Sequence, residues 1–212
     1  PTGICRTWPN LVGNESARGT EYEAFGGSVP YHTVMLPFTR LQGGPMDYTP
    51  GAMLSMQPEC YSSRRPNSAS IGTRAYQLAL YVVFESNLQM MSDNPTLYNM
   101  YPDCRDFIAG CPVNWDETRV LAAEFGQYTV VARRKGSKWY IGGITNETAR
   151  DITVKLDFLT EGKSYKTTSF TDAVNSAKQA MDYRKKEGQT KKGDALSIHM
   201  VRNGGFAAVL EP

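Results

Sequence analysis

Two glutamates near the start of the chain, Glu15 and Glu21, are the residues whose type and spacing most directly suggest chemistry. Arg18 and Gly19 lie between them, in a segment that has neither the alternation of a strand nor the period of a helix. A tight turn at these two residues would bring the carboxylates together. Paired carboxylates cleave glycosidic bonds, and they also bind calcium, which prefers several oxygen ligands. Two glutamates exposed on a surface loop are the alternative, and the spacing leaves these interpretations open.

A second polar segment follows at residues 32–51, where the apolar run 34–36 precedes a loop that holds Arg40 and Asp47. A short apolar strand followed by such a loop resembles the carboxyl end of a barrel strand, where active sites are built. Arg40 and Asp47 can equally form a buried structural ion pair. We expect His32 to be a residue with satisfied hydrogen bonds rather than a catalyst.

The composition disfavours several classes of protein. The 212 residues include 23 lysines and arginines against 21 acidic residues, which gives a formal net charge of +2. This near balance provides no long-range field that would attract nucleic acid, and we expect no nucleic-acid partner. Glycine, proline or charged residues interrupt every apolar run, so the sequence predicts no membrane span.

The four cysteines show no spacing typical of a zinc site, and the chain has only two histidines. We therefore expect no structural zinc. Cys104 and Cys111 lie close together in the sequence, so they can form a disulfide across a loop or remain buried thiols.

The first half of the chain, residues 1–113, is dense in proline and glycine but contains one strong helical pattern. Ser70 is the predicted N-cap, and a wide apolar face predicts packing against a sheet. A second, shorter helix is predicted near residues 103–109. The apolar face of the long helix consists of Ile71, Ala75, Leu78, Ala79, Val82 and Val83.

The second half, residues 114–212, has a different pattern of short β-branched or aromatic runs separated by turn signals. Such runs at regular spacing predict an antiparallel β-sandwich, and we place the domain boundary near residues 112–116. The lysine-rich stretch 178–192 is predicted to be a solvated loop or helix face. The predicted strands lie at 120–122, 128–134, 138–144, 150–156, 165–171, 196–200 and 206–210.

Several motifs in this order resemble glycoside hydrolase family 97. The resemblance covers nearly the whole chain, and the motifs together are far more specific than any one of them. They are Pro1-Thr-Gly, Arg6-Thr-Trp-Pro-Asn10, Glu15-x-x-Arg18-Gly-x-Glu21-Tyr22, His32-Thr-x-x-Leu-Pro-Phe-Thr-Arg40, Gly44-Pro-Met-Asp-Tyr-Thr-Pro-Gly51, Gln77-Leu-Ala-Leu-Tyr-Val-Val83, Leu88-Gln-Met90, Pro112-Val-Asn-Trp-Asp116, Asp157-Phe-Leu159 and Gly204-Gly-Phe-Ala207.

The resemblance implies a fold of the α/β plus all-β class. Residues 1–113 would be the last part of a (β/α)8 catalytic barrel, and residues 114–212 a C-terminal antiparallel β-sandwich. The N-terminal part of the same protein, which would carry the nucleophile or base, is then an expected partner.

The resemblance also implies a calcium-dependent α-glycoside hydrolase that removes terminal galactose or glucose from oligosaccharides, with periplasmic residence. Glu21 matches the general acid of the family, while Glu15 and Glu21 match calcium ligands. Because its catalytic partner lies upstream, we expect the chain alone to be inactive. The alternative is a non-catalytic carbohydrate-binding or scaffold module whose β domain is the functional part.

Overall fold

A computed structural model describes residues 4–21, 28–62 and 69–212 of the protein. The motif residues Pro1 to Gly3 and Tyr22 lie outside these described residues. Short 3₁₀-helices occupy Leu36–Phe38, Arg40–Gly43 and Pro58–Cys60. The α-helices within the described ranges are α1 (Ile4–Thr7), α2 (Pro30–Thr33), α3 (Arg74–Val83), α4 (Pro95–Met100) and α5 (Pro102–Gly110).

Strands dominate the second half of the chain. Each of the seven predicted runs lies in a strand except for Leu156, which directly follows β6, and an eighth strand, β8, adds to them. The strands of the described residues are β1 (Ser55–Met56), β2 (Ser70–Ile71), β3 (Glu117–Glu124), β4 (Tyr128–Lys135), β5 (Lys138–Thr145), β6 (Arg150–Lys155), β7 (Ser164–Asp172), β8 (Tyr183–Lys191), β9 (Ala195–Met200) and β10 (Gly205–Glu211).

Six of these strands form one antiparallel sheet in the order β3-β4-β5-β10-β7-β8. Strands β6 and β9 form a separate antiparallel pair. The alternation in β5 shows how the layers assemble, since Trp139 and Ile141 pack with β6 and β9. Tyr140 and Ile144, on the opposite face, share a core with α3. The antiparallel sandwich predicted from the sequence is therefore confirmed, while the barrel assignment of residues 1–113 stays a prediction.

Helix α3 lies at the centre of the molecule, and all ten of its residues are buried. Thr73 caps it, because the Thr73 side chain accepts a hydrogen bond from the Tyr76 N–H at 3.1 Å. The prediction of Ser70 as the cap was wrong, because Ser70 belongs to strand β2. The predicted packing of this helix against a sheet is confirmed by its contacts with β5 and β10.

Two glycines allow the helix backbone to approach the sheet this closely. A Cβ atom at Gly142 would lie 2.8 Å from Cβ of Val82 and 2.9 Å from the carbonyl oxygen of Ala79. A Cβ atom at Gly205 would lie 2.6 Å from the backbone nitrogen of Tyr76. All three distances are too short for a real Cβ atom, so side chains are excluded from these two positions unless the helix moves.

Two sequence predictions for secondary structure were wrong. Residues 34–36 were expected to form a strand, but they follow α2 as a turn that runs into a 3₁₀-helix. Pro30 and Pro37 begin these helical turns, and proline favours the first turn of a helix because its φ is fixed there. The stretch 178–192 was expected to be a loop or helix, but it contains β8. Among the described strands, this one pairs only with β7, and it is mostly exposed. Lysines are typical of such sheet edges, where they hinder pairing with another chain.

The helix predicted near residues 103–109 is confirmed as α5. Cys104 lies within this helix and Cys111 directly follows it, and both are free thiols rather than a disulfide. Burial raises the pKa of Cys104 to about 12, so this thiol is protonated at neutral pH. Among the described residues, no helix has the length and apolar character needed to cross a membrane.

The contact between Gly205 and α3 predicts a large cost for one added methyl group. We expect Gly205→Ala to lower the free energy of unfolding by about 3 kcal/mol, because the new Cβ meets backbone rather than a movable side chain. Urea denaturation followed by circular dichroism measures this change.

Gly188→Ala is the matched control, because Gly188 lies in exposed strand β8 with open space around its Cβ position. We expect this variant to change stability by less than about 0.5 kcal/mol. Equal stability of Gly205→Ala and Gly188→Ala would show that the α3 backbone is not in close contact with the sheet at Gly205.

Asp172 fixes the turn between β9 and β10 beneath α3. Its Oδ2 atom accepts hydrogen bonds from the N–H groups of Val201 at 3.0 Å and Gly205 at 3.1 Å. Burial, partly opposed by hydrogen bonds, raises the pKa of this carboxyl to about 7. The folded protein thus holds the proton more tightly than the unfolded chain does, and this group makes stability fall as the pH rises from about 4 to about 7.

Asp172→Asn should remove this pH dependence, because the amide keeps an acceptor oxygen and has no charge at any pH. Between pH 4 and pH 8, we expect the stability of the unmodified protein to fall relative to that of the variant by a few kcal/mol, on the order of 3. Urea denaturation of both proteins across this range measures the difference. Parallel pH profiles would contradict the raised pKa.

Candidate active site

The segment that contains both candidate glutamates is held in place by Arg40. The guanidinium donates to the backbone carbonyl oxygens of Asn14 at 2.5 Å, Glu15 at 3.1 Å, Gly44 at 3.0 Å and Pro45 at 3.3 Å. Because these bonds join two separate stretches of backbone, Arg40 works as a structural clamp.

The ion pair considered between Arg40 and Asp47 does not form in the part of the chain that the structure describes, where the Arg40 guanidinium bonds backbone carbonyl oxygens. The backbone N–H of Asp47 instead donates to the Asn14 carbonyl at 2.9 Å. One carboxylate oxygen of Asp47 is buried without a hydrogen-bond partner among the described residues. The sequence could not predict this arrangement, since an arginine pairs with carboxylates and with carbonyls alike.

The structure gives the two glutamates different surroundings. The Glu15 side chain is exposed, and it precedes Ser16, whose φ of 58° marks a sharp turn of the backbone. Only the backbone of Glu15 is fixed, through its bond to Arg40. The carboxylate itself faces outward and is free to meet a ligand.

Glu21 folds its carboxylate back over Gly19. A Cβ atom at Gly19 would lie 2.8 Å from Cδ of Glu21 and closer still to one carboxylate oxygen. Glycine at this position therefore makes room for the acid. The Glu21 Oε2 atom is buried and has no hydrogen-bond partner in the described ranges, so one strong acceptor is left unused.

Helix α3 positions the residue next to this carboxylate. The Gln77 side-chain oxygen accepts hydrogen bonds from the Thr20 hydroxyl at 3.3 Å and from the Gly51 N–H at 2.9 Å. The Thr20 N–H also donates to the Thr49 carbonyl at 2.9 Å. Gln77 is buried, so the backbone that precedes Glu21 is fixed to the central helix of the fold.

A cleft lies beside the glutamate segment. Its volume is about 500 Å³, and two of its polar atoms, Ser28 Oγ and His32 Nε2, are buried without a hydrogen-bond partner among the described residues. The expectation that His32 is fully hydrogen-bonded was therefore wrong. Sequence reasoning missed Ser28 altogether, because no local pattern marks a serine that precedes a four-residue helix. The cleft is lined by Ser16, Ala17, Arg18, Ser28, Val29 and His32.

The pKa of His32 is lowered, first by burial and then by the positive charge of Arg18. The imidazole is consequently neutral at pH 7. A neutral imidazole has one donor and one acceptor nitrogen, which suits hydrogen bonding to a hydroxyl group.

The described residues supply only some of the ligands that a calcium ion needs. Carboxylate oxygens are the donors that calcium prefers, and the unpaired Oε2 of Glu21 is an acceptor of this kind. Within the described ranges, however, no three side chains of His, Cys, Asp or Glu come close enough to hold a metal. Since calcium takes six to eight oxygens, Glu15 and Glu21 would supply only part of its shell.

Comparison with known proteins defines the class of the chain. It is 44% identical over 211 residues to the retaining alpha-galactosidase of Bacteroides thetaiotaomicron, which covers 98% of this chain and 32% of the relative. It is 35% identical over 210 residues to a probable retaining alpha-galactosidase of Streptomyces bingchenggensis, covering 99% of this chain and 30% of that protein. These relatives are glycoside hydrolases.

The family follows from two further matches. Residues 114–211 match the family model described as glycosyl-hydrolase 97 C-terminal, oligomerisation. A glycoside hydrolase family 97 enzyme from Pseudoalteromonas sp. strain K8, solved in complex with acarbose, superposes with a TM-score of 0.87 at 34% identity, covering 99% of this chain and 33% of that chain. The chain belongs to glycoside hydrolase family 97, and it spans about a third of the length of its relatives.

The clamp at Arg40 predicts that lysine cannot replace this arginine. An ammonium group cannot reach four carbonyl oxygens with the planar fork of a guanidinium. We expect Arg40→Lys to lower the free energy of unfolding by about 2 kcal/mol, measured by urea denaturation.

Arg105→Lys is the matched control. Arg105 is a partly exposed arginine whose guanidinium bonds only the side chains of Asn99 and Asp106 in the described structure. We expect its replacement to change stability by less than about 0.5 kcal/mol. A similar loss in both variants would argue against the clamp.

Proposed function

We propose that residues 1–212 form the C-terminal part of a retaining α-galactosidase, with Glu21 as its general acid. The observation that carries this proposal is the Glu21 carboxylate, folded over Gly19 with one buried oxygen that has no hydrogen-bond partner among the described residues. A buried acceptor oxygen without a partner is costly unless a ligand completes its hydrogen bonding. Membership of glycoside hydrolase family 97 supports the reaction class, which is hydrolysis of a glycosidic bond.

The proposed role of Glu21 is to give a proton to the glycosidic oxygen as the bond to the sugar breaks. A retaining enzyme places its second carboxylate roughly 5–5.5 Å from the acid, where it attacks the anomeric carbon. No residue of this chain is proposed for that second role, so the nucleophile belongs to a preceding part of the same protein. Residues 1–212 alone are therefore expected to show negligible turnover.

Galactose is the proposed sugar. The two curated relatives, at 44% and 35% identity, are both named as α-galactosidases. The structural neighbour with bound acarbose is 34% identical. The higher identity of the Bacteroides protein favours terminal α-linked galactose over glucose.

Calcium is the proposed cofactor, with Glu15 and Glu21 among its ligands. When bound, the ion would supply positive charge that fixes the orientation of both carboxylates. The exposed Glu15 carboxylate and the unpaired Oε2 of Glu21 support this assignment. Glu15 and Glu21 are the only ligands proposed from the described residues, and the rest of the coordination shell is not assigned.

We extend the proposal to the fold and location of the whole protein. Residues 1–113 are assigned to the end of a (β/α)8 barrel and residues 114–212 to the sandwich domain. The parallel bridge between Asn14 and Met46 supports a barrel, since its strands are parallel. The description of the family model suggests that the sandwich domain also takes part in self-association. The family resemblance favours periplasmic residence.

The acid role predicts a loss that depends on the leaving group. In the full-length protein, Glu21→Gln should lower kcat for melibiose by roughly 10²–10⁴-fold, because the departing sugar needs a proton. The loss should be much smaller for an aryl α-galactoside whose phenol leaves without protonation. Steady-state kinetics with both substrates measures this difference.

Glu161→Gln is the matched control, because its exposed carboxylate lies in the turn before β7. Its kinetics should equal those of the unmodified enzyme. Gly19→Ala is a second test, since it should displace the Glu21 carboxylate and lower turnover with little change in stability. Unchanged hydrolysis of melibiose by Glu21→Gln would remove the acid role.

A further inference from the structure

We propose that Ser28 and His32 form a sugar-binding subsite, in which their side chains bind hydroxyl groups of the substrate. This inference rests on the proposed function, because it names the part of the chain that recognises the same substrate. Its starting point is the cleft between residues 16–18 and 28–32.

The first argument is the hydrogen bonding that the cleft leaves unused. Only 5% of Ser28 is exposed, and its Oγ atom has no partner among the described residues. The buried Nε2 atom of His32 also has none there. An unpaired buried polar atom costs about 1–3 kcal/mol, so two of them in one cleft indicate a ligand that completes both.

The two buried unpaired atoms suit hydroxyl groups, although the charged side chain of Arg18 also lines the cleft. The Ser28 hydroxyl donates and accepts, and the neutral imidazole of His32 offers one donor and one acceptor. Ala17 and Val29 line the same cleft and offer apolar surface to the C–H groups of a sugar ring. A volume of about 500 Å³ lies within the range of small-molecule sites.

The position of the cleft connects it with the acid. One wall is formed by residues 16–18, and the backbone continues directly through Gly19 and Thr20 to Glu21. Arg40 holds the backbone at Glu15, and Gln77 holds the Thr20 side chain, so hydrogen bonds support this connecting segment at both of its ends. We place one sugar unit of the substrate in the cleft that this segment lines.

Kinetics of the full-length protein test the subsite. Loss of one hydrogen bond to a hydroxyl corresponds to a change of roughly 10-fold in affinity. We therefore expect Ser28→Ala and His32→Leu each to raise KM for melibiose about 10-fold, with kcat changed less than about 3-fold. His32→Gln, which keeps a side-chain N–H donor and an acceptor oxygen, should restore much of the affinity.

Calorimetric titration in the Glu21→Gln background tests binding without turnover. Melibiose and galactose are the probes, and weaker binding of either by the Ser28 and His32 variants supports the subsite. The matched control is His199→Leu, which replaces the other histidine of the chain, an exposed residue paired with Asp151. This control should bind both sugars as the unmodified protein does.

The outcomes separate this inference from the proposed function. If the unmodified enzyme cleaves melibiose while the Ser28 and His32 variants keep its KM and affinities, the subsite is wrong and the function stands. Variants that only lower Tm and bind both sugars normally would mean that another part of the polypeptide fills the cleft, which also overturns the inference. If the unmodified protein does not cleave α-galactosides, the proposed function fails. Galactose binding that depends on His32 would then still support the subsite, and absence of binding would overturn it.

Discussion

The close contact between helix α3 and the six-stranded sheet is the constraint on which the rest of the structure depends. The helix backbone lies directly against Gly142 and Gly205, on the neighbouring strands β5 and β10. These are the two central strands of the sheet, so the helix covers the middle of one sheet face. Strands β6 and β9 cover the opposite face. The central strands of the sheet are therefore buried on both faces, whereas the edge strands β3 and β8 are largely exposed.

The same helix also supports the candidate active site. One face of α3 contacts the sheet, while Gln77 extends from the helix to Thr20 and Gly51. Arg40 fixes the backbone of the glutamate segment from another direction. Arg40 binds backbone carbonyl oxygens, and Gln77 binds the Thr20 hydroxyl and the Gly51 N–H, so neither support engages the carboxylates. This leaves the Glu15 and Glu21 side chains available for a ligand while their main chain is held, as a preorganised site requires.

The sequence predicted the strands of the sandwich well, because alternation between two buried or half-buried faces is a local signal. It failed for β8, whose lysines resemble a solvated loop and whose strand state depends on pairing with β7. The helix α3 was predicted, but its cap was displaced from Ser70 to Thr73 because Ser70 pairs with Ser55 in a short parallel sheet. These errors arise where a distant partner, rather than the local pattern, decides the conformation.

The candidate site was predictable only in part for the same reason. The family motifs identify Glu15 and Glu21, yet the spacing does not reveal that Glu21 folds onto Gly19. The hydrogen-bonding state of His32 depends on residues 16–18 and 28–29, which approach it only after folding. Ser28 has no sequence signal at all, since its importance comes from burial without a partner.

The shared core also limits how this protein can recombine with others. Helix α3 precedes the boundary predicted near residues 112–116, whereas the glycines that receive it follow that boundary. A chimaera joined at this boundary would combine a helix from one parent with a sheet from another, and the backbones would meet without matched small residues. Exchange of the sandwich between family members should therefore succeed only when α3 is transferred with it. Helix α3 and the sheet form one packing unit, although the predicted domain boundary separates them in the sequence.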